Sequence, residues 1–414
     1  MIGKKSSVAY RWELIILLWF AFFLNQGDRQ IYNVVMPLIK EDLGLSDVQL
    51  GLVATIFTAI YGILVPFAGF VSDKMKKSRV VFLSLLIFSV GTLLTGISGG
   101  LIMLIVFRSV ATGAGEAFYY PAANSLIGEF HKKTRAQAMA VHQTANYIGI
   151  VASGFLAGYI GEHYGWRAAF YSFGLLGIVL AVIVYFRLRD APKKQHNTVE
   201  RIPLKKVAAH IFKKKSLYIF SLAFGGMVFV HIGYLTWTPT FLHENFGLSL
   251  GNAGFSSVFY HHAMAFVGVI VGGKVSDRFA QKRKQIRVET KIVGLLLGAP
   301  FIYLMGISSH LVTVYLALAL FGFFRGIYDS NLFAALFDVI EPRYRASATG
   351  IMLSAAFLIG ALAPITLGWI KENIGISYGL ASLGTVYFIS SILLMIGLKR
   401  YFFEDFVDDP QENT

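Results

Sequence analysis

Gly69-Phe-Val-Ser-Asp73-Lys74 and, 204 residues further on, Gly273-Lys-Val-Ser-Asp277-Arg278 are two copies of one pattern, Gly-x-x-x-Asp-[Lys/Arg], in a chain of 414 residues. Each copy closes a long apolar run. Other pairs recur at nearly the same offset: Arg135-Ala-Gln-Ala with Arg345-Ala-Ser-Ala, 210 apart, and Arg108 with Arg325, 217 apart. A repeat close to half the chain, carried by the few polar residues of apolar surroundings, marks two structurally equivalent halves.

The surroundings fix the class. Residues are 56% hydrophobic and 14% charged, where a soluble domain carries about a quarter charged. Apolar runs lie at about Leu14–Met36, Val48–Val71, Val80–Ser98, Leu101–Ile127, Ala136–Ile160 and Ala168–Leu188. After a polar gap come Leu217–Phe241, Ala253–Val275, Ile292–Ile307, Val312–Phe337, Ala346–Ile370 and Tyr378–Phe402. Most are long enough to cross a bilayer as helices, and none shows the alternation of a barrel strand. The expected fold is an all-α membrane protein of 12 transmembrane helices in two six-helix, pseudo-symmetric halves, residues 1–188 and 217–403. A basic linker, 189–216, joins them, and an acidic tail spans 404–414. Within the linker, Lys205 to Lys215 has the composition of either a surface amphipathic helix or a plain charged connection. The first run is too long and too polar at its centre for a cleaved signal peptide.

Charge sets the orientation. Of 37 Lys and Arg, three lie deep inside spans, away from their ends (Arg29, Arg108, Arg325), and three in one alternate set of loops (Lys40, Arg167, Lys371). The rest lie in the other loops and the termini, which puts both termini and the linker in the cytoplasm of a multi-pass cell-membrane protein. The net charge of +14 is therefore a topology signal dispersed over many loops, and a nucleic-acid partner is not expected. Zero Cys removes thiolate chemistry. No Ser–His–acid arrangement, phosphate-cradling Gly-Lys-[Ser/Thr] loop or metal-ligand spacing stands out. Neither an enzyme, a metal site nor ATP-driven work is expected.

The intramembrane charges carry the chemistry. Asp28 lies about 21 Å along a helix from Leu14, where an unpaired charge costs at least about 2.5–3.5 kcal/mol. It therefore faces the bundle interior or a wet cavity, and a carboxyl between desolvation and a nearby Arg can take up and release protons. Adjacent residues on a helix point about 100° apart, so Asp28 and Arg29 address different neighbours; Tyr32 is one turn beyond Asp28. Arg29 suits bidentate contact with a carboxylate. Arg108, Thr112 and Glu116 lie at i, i+4 and i+8 on one drifting face of the fourth span. The plain alternative is a permanent ion pair of Asp28 with Arg29 or Arg108. Arg325 and Asp329 are i, i+4 neighbours that can neutralise one another; if they part, each becomes a further contact. His142, Gln143 and Asn146 on the fifth span, His231, Tyr234 and Trp237 on the seventh, and His261 on the eighth have the spacing to line a cavity, although a single His more often packs.

The motifs carry two resemblances. Gly-x-x-x-Asp-[Lys/Arg] and the basic residues behind it resemble the signature of the major facilitator superfamily, with Lys76 where that family usually has Gly. The resemblance covers nearly the whole chain and implies two cytoplasmic latches, Asp73 with Arg135 and Asp277, beside Arg278, with Arg345. More narrowly, Asn25-Gln26-Gly27-Asp28-Arg29, the segment from Arg108 through Gly115-Glu116-Ala117 and Tyr119 to Pro121, and Gly165-Trp166-Arg167 with Phe170 resemble the anion:cation symporter family. Spinster-type lipid transporters share the Asp-Arg and Gly-Glu-Ala features. The Gly-Pro motif of drug/proton antiporters is missing from Gly149–Gly161. Resemblance to the symporters makes Glu116 the preferred proton site with Asp28 its partner. The expectation is proton-coupled symport of a small organic anion, such as a sugar acid, by a monomer that needs no cofactor beyond the proton gradient. The alternative is a spinster-like transporter of lysolipid or another amphiphile.

Overall fold

The structure is a computed structural model that describes residues 2–191, 210–280 and 282–407, apart from the side chains of 2–9 and of Asp73. Most of the linker and the end of the acidic tail lie outside the described residues, and with them the amphipathic reading that begins at Lys205. Among the described residues twelve long helical stretches succeed one another: α1 Ile2–Leu43, α2 Asp47–Lys74, α3 Lys77–Thr95, α4 Leu101–Phe130, α5 Arg135–Tyr164 and α6 Trp166–Arg187, then α7 Lys215–Phe246, α8 Leu250–Ala280, α9 Ile286–Ile307, α10 Leu311–Phe337, α11 Pro342–Asn373 and α12 Ile376–Asp405. No strand occurs among the described residues, so the fold is the helical one and not a barrel. Ten of these stretches are long and apolar enough to cross a membrane by composition. α1 and α5 are long enough at 42 and 30 residues, and are richer in polar residues.

The repeat is written into the backbone. The only positive-φ residues among those described are four glycines: Gly44 at +62°, Gly165 at +84°, Gly247 at +65° and Gly375 at +122°. They turn the chain between α1 and α2, α5 and α6, α7 and α8, and α11 and α12, so the two pairs are equivalent across the halves. A side chain at such angles is strained, and glycine is the residue that adopts them freely. All four connections belong to the loop set poor in basic residues. At the start of α2, Ser46 and Gln49 form a reciprocal capping box, which satisfies two otherwise orphaned N–H groups.

The chain forms two compact units, Met1–Lys194 with Leu235–Val258, and Gln195–Tyr234 with Phe259–Thr414. In the first, α1 packs chiefly on α5, and α3 on α4 and α6. α5 also meets the start of α8, where a Cβ on Gly154 would lie 2.9 Å from the Gly254 carbonyl. In the second, α9 packs on α10 and α12, the counterpart of α3 on α4 and α6. α7 meets α11, with Gly225 against Ile359 and Gly360 against Val228. Small residues at these crossings let apolar helices approach where lipid offers no hydrophobic drive.

Candidate functional site

α1 carries a polar middle stretch: Asn25, Asp28, Gln30 and Asn33 are all buried. Asp28 accepts a hydrogen bond from Thr92 Oγ1 of α3 at 2.7 Å. Arg29, about 100° around the helix, points to α4 and α2. Its Nε donates to Glu116 Oε2 at 2.7 Å, and its guanidinium lies over the Tyr61 ring at 4.3 Å. The divergence expected of adjacent residues is thus realised. The Glu116 side chain is shut in, whereas that of Arg29 keeps 26% of its surface open.

Glu116 is held against α1 by the closeness of α3 and α4. A Cβ on Gly115 would come within 2.6 Å of the Phe88 backbone nitrogen, and Ser84 Oγ donates to the Gly115 carbonyl at 2.7 Å. Upstream, Ile105–Ala111 is a π-helical stretch, a rare local rewinding that shifts the register of the helix beyond it. Arg108 sits in it. Its guanidinium lies 4.2 Å from the Phe57 ring and 5.6 Å from that of Tyr32, and its Nε and Nη1 make no hydrogen bond among the described residues. Asp28, Arg29, Arg108 and Glu116 act on one another electrostatically, so the four formal charges sum to zero within one buried cluster.

The other expected residues are distributed more widely. Tyr32 donates to the Leu50 carbonyl at 2.8 Å, tying α1 to α2. Tyr119 donates to the Leu18 carbonyl at 2.5 Å and lies 3.2 Å from His142 Nε2; the His142 ring stacks on Phe22 at 4.7 Å. These two form a packing network within the first unit. Gln143 is exposed, Asn146 half-buried and Trp237 buried. In the second unit Arg325 forms the expected pair with Asp329, Nε to Oδ2 3.3 Å, and its Nη1 donates to His231 Nδ1 at 2.6 Å. Tyr234 and His261 are hydrogen-bonded at 3.0 Å. Arg345, expected opposite Asp277, donates to the carbonyls of Phe337 and Ile340 at 3.2 and 3.3 Å, where it caps the end of α10; Asp277 and Arg278 are exposed. Arg135 begins α5, and the side chain of Asp73 lies outside the described residues.

Two corrections concern residues that the sequence hides. Thr92, Phe57 and Tyr61 are neutral and ordinary in an apolar helix, yet they hold the charges. Lys291 falls just before the apolar run from Ile292 and reads as a loop residue. The structure starts α9 at Ile286 and buries Lys291 completely, with Nζ 4.6 Å from the Phe220 ring and 5.2 Å from Tyr328. The sixth residue of a helix inside protein is not a solvated cation; helix continuity through Glu289 and Thr290 overrides the hydropathy boundary.

The chain resembles known proteins over most of its length. The sequence profile of the Major Facilitator Superfamily matches residues 18–288. A hexuronate transporter of Bacillus subtilis is 25% identical over 92% of this chain and 95% of its own length. A cis,cis-muconate transport protein of Acinetobacter baylyi is 26% identical over 99% of both chains. Among solved structures, a bacterial homologue of the human lysosomal transporter Spinster, inward-facing and occupied, superposes with a TM-score of 0.83 at 21% identity, covering 96% of this chain and 99% of that one.

Proposed function

The chain belongs to the major facilitator superfamily, and from that premise we propose that it couples protons to the uptake of a small organic anion, of the sugar-acid class, by alternating access. The observation that carries this is the Arg29–Glu116 pair: an arginine whose side chain keeps 26% of its surface open, held at 2.7 Å by a closed-in carboxylate. An incoming carboxylate that takes the fork of Arg29 bidentately competes with Glu116 for it. Glu116, deprived of its cation and cut off from water, must then be neutralised, and a proton is the available means. Bookkeeping of charge makes the same point. Asp28, Arg29, Arg108 and Glu116 sum to zero, so a bound monoanion leaves the cluster at minus one until one proton arrives. Anion and proton therefore bind together better than either alone, which is what symport requires. Arg108, buried and without hydrogen bonds from Nε and Nη1, supplies the standing positive charge that keeps the cluster receptive to anions. The hexuronate and muconate transporters among its relatives support an anionic substrate.

The test is uptake into proteoliposomes of purified protein. A pH gradient should drive accumulation of a hexuronate, and Glu116→Gln should abolish that accumulation while sparing counterflow exchange. Uptake of sugar acids that never responds to the gradient, or accumulation that survives Glu116→Gln, overturns the proton assignment. Inhibition by lysolipids but by no sugar acid would replace the substrate class with an amphiphile.

A further inference from the structure

Away from the charge cluster, the first unit has a groove of about 590 Å³ between the start of α3 and the end of α6, lined by Lys76, Ser78, Arg79, Phe82, Tyr185 and Leu188 among others. Its two ends differ in character. At one, Lys76 and Arg79 are exposed and make no ion pair among the described residues. Their neighbours are already satisfied: Lys77 pairs with Glu129 at 2.8 Å. Asp190, the nearby carboxylate, accepts from the Ser78 nitrogen at 2.9 Å and its hydroxyl at 2.5 Å. At the other end Phe82 and Tyr185 form an aromatic wall with ring centroids 5.0 Å apart. It runs on into the outward face of α6, where Val182, Tyr185 and Phe186 are 50%, 62% and 73% exposed. Two exposed cations that make no ion pair among the described residues, opening directly onto an apolar track at a helix end, complement an anionic head with an acyl tail. A soluble anion would use the first feature and leave the second bare.

We propose that this groove is a binding site for an anionic phospholipid, its phosphate on Lys76 and Arg79 and an acyl chain along Phe82 and Tyr185. The groove lies at the helix ends that carry the basic loops, the side on which anionic lipid attracts juxtamembrane Lys and Arg. The site is independent of the substrate reading and stands whether or not protons are coupled.

The experiment uses full-length protein in a neutral detergent. Phosphatidylglycerol, phosphatidylcholine and glycerol 3-phosphate are titrated separately, with retained lipid counted by native mass spectrometry and thermal stability read in parallel. Phosphatidylglycerol should bind at least about tenfold more tightly than phosphatidylcholine, and glycerol 3-phosphate should not stabilise. Lys76→Gln with Arg79→Gln should weaken phosphatidylglycerol about 25-fold, roughly fivefold for each cation near an anionic surface, and leave phosphatidylcholine unchanged. Both side chains are exposed, so this variant should melt like the parent without lipid. Lys77→Gln, outside the groove, should keep the parent's preference. Equal binding of the two lipids, or full phosphatidylglycerol affinity in the double variant, overturns the proposal. Stabilisation by glycerol 3-phosphate equal to that by phosphatidylglycerol would make it a soluble-anion site and overturn the lipid assignment.

Discussion

At the scale of the residue, Arg29 does what no other cation could do in its place. Its fork reaches Glu116 through Nε while the plane of the guanidinium covers Tyr61 at 4.3 Å. Lysine would keep the charge and lose both the fork and the stacking. Arg29→Lys should therefore raise KM for the anion at least tenfold, about 1.4 kcal/mol, with the protein folded and still gradient-driven at saturating substrate; initial uptake rates against substrate concentration give the answer. An unchanged KM would remove Arg29 from the substrate's path. The four charges of this cluster were legible in the sequence because a charge in an apolar run is conspicuous. Their supports were not: Thr92 hydrogen-bonds Asp28 and Phe57 underlies Arg108, yet a Thr and a Phe inside a transmembrane helix carry no signal. Lys291 was hidden for the opposite reason. It lies beside the basic residues of a loop, and only the start of α9 at Ile286 shows that it is inside.

Elements decide whether those residues meet. α3 and α4 approach so closely that Gly115 has no room for a Cβ beside the Phe88 backbone, and Glu116 is the next residue. Gly115→Val must push the helices apart, a change that costs about 1–3 kcal/mol in a packed interior. Detergent-solubilised protein should melt earlier by that measure, and proton-driven accumulation should fall with it, since the Arg29–Glu116 contact opens. Equal melting of variant and parent would mean that the two helices yield freely. A second contact ties α1 to α6: Asp42 accepts from Arg167 and, at 3.1 Å, from Trp166 Nε1. The Arg167 hydrogen bond first, and that of Trp166 after it, hold the Asp42 carboxyl below its usual range. Because the folded value is the lower one, the stabilisation is fully present above the unfolded value near pH 4 and is lost as pH falls through the folded value. The pair is largely exposed, so it contributes at most about 1 kcal/mol. Asp42→Asn should melt slightly below the parent at pH 6, and the gap should close under about pH 4; a gap that persists in acid would point to packing and not to charge. The Gly165-Trp166-Arg167 segment stood out in the sequence through its resemblance to the symporters, whereas the positive φ of Gly165 that makes it a turn belongs to the backbone. The π-helical stretch at Ile105–Ala111 could not, because a one-residue register change leaves composition and hydropathy untouched.

For the whole molecule, the two Gly-x-x-x-Asp motifs announce a duplicated architecture, and the backbone repeats it in Gly44 with Gly247 and Gly165 with Gly375. That duplication was readable because the two Gly-x-x-x-Asp motifs, Arg135 with Arg345 and Arg108 with Arg325 recur at nearly one offset; the matching turn glycines emerge only with the backbone. How far each helix extends was less readable, since hydropathy stops where charges begin and hydrogen bonding does not. Orientation depends on neither; it rests on the loops, where one alternate set holds only Lys40, Arg167 and Lys371 and basic residues favour the cytoplasmic side. The absence of Cys makes this directly measurable. Lys133, between α4 and α5, and Ser309, between α9 and α10, are exposed and belong to opposite loop sets. In intact cells a membrane-impermeant maleimide should label Ser309→Cys and leave Lys133→Cys unlabelled until the membrane is permeabilised. The cysteine-free parent serves as the blank. Reversed labelling would invert the topology and place the phospholipid groove in the outer leaflet. Labelling of both in sealed cells would mean that the loop between α4 and α5 is reached through the protein itself, and that the basic loops do not set its orientation alone.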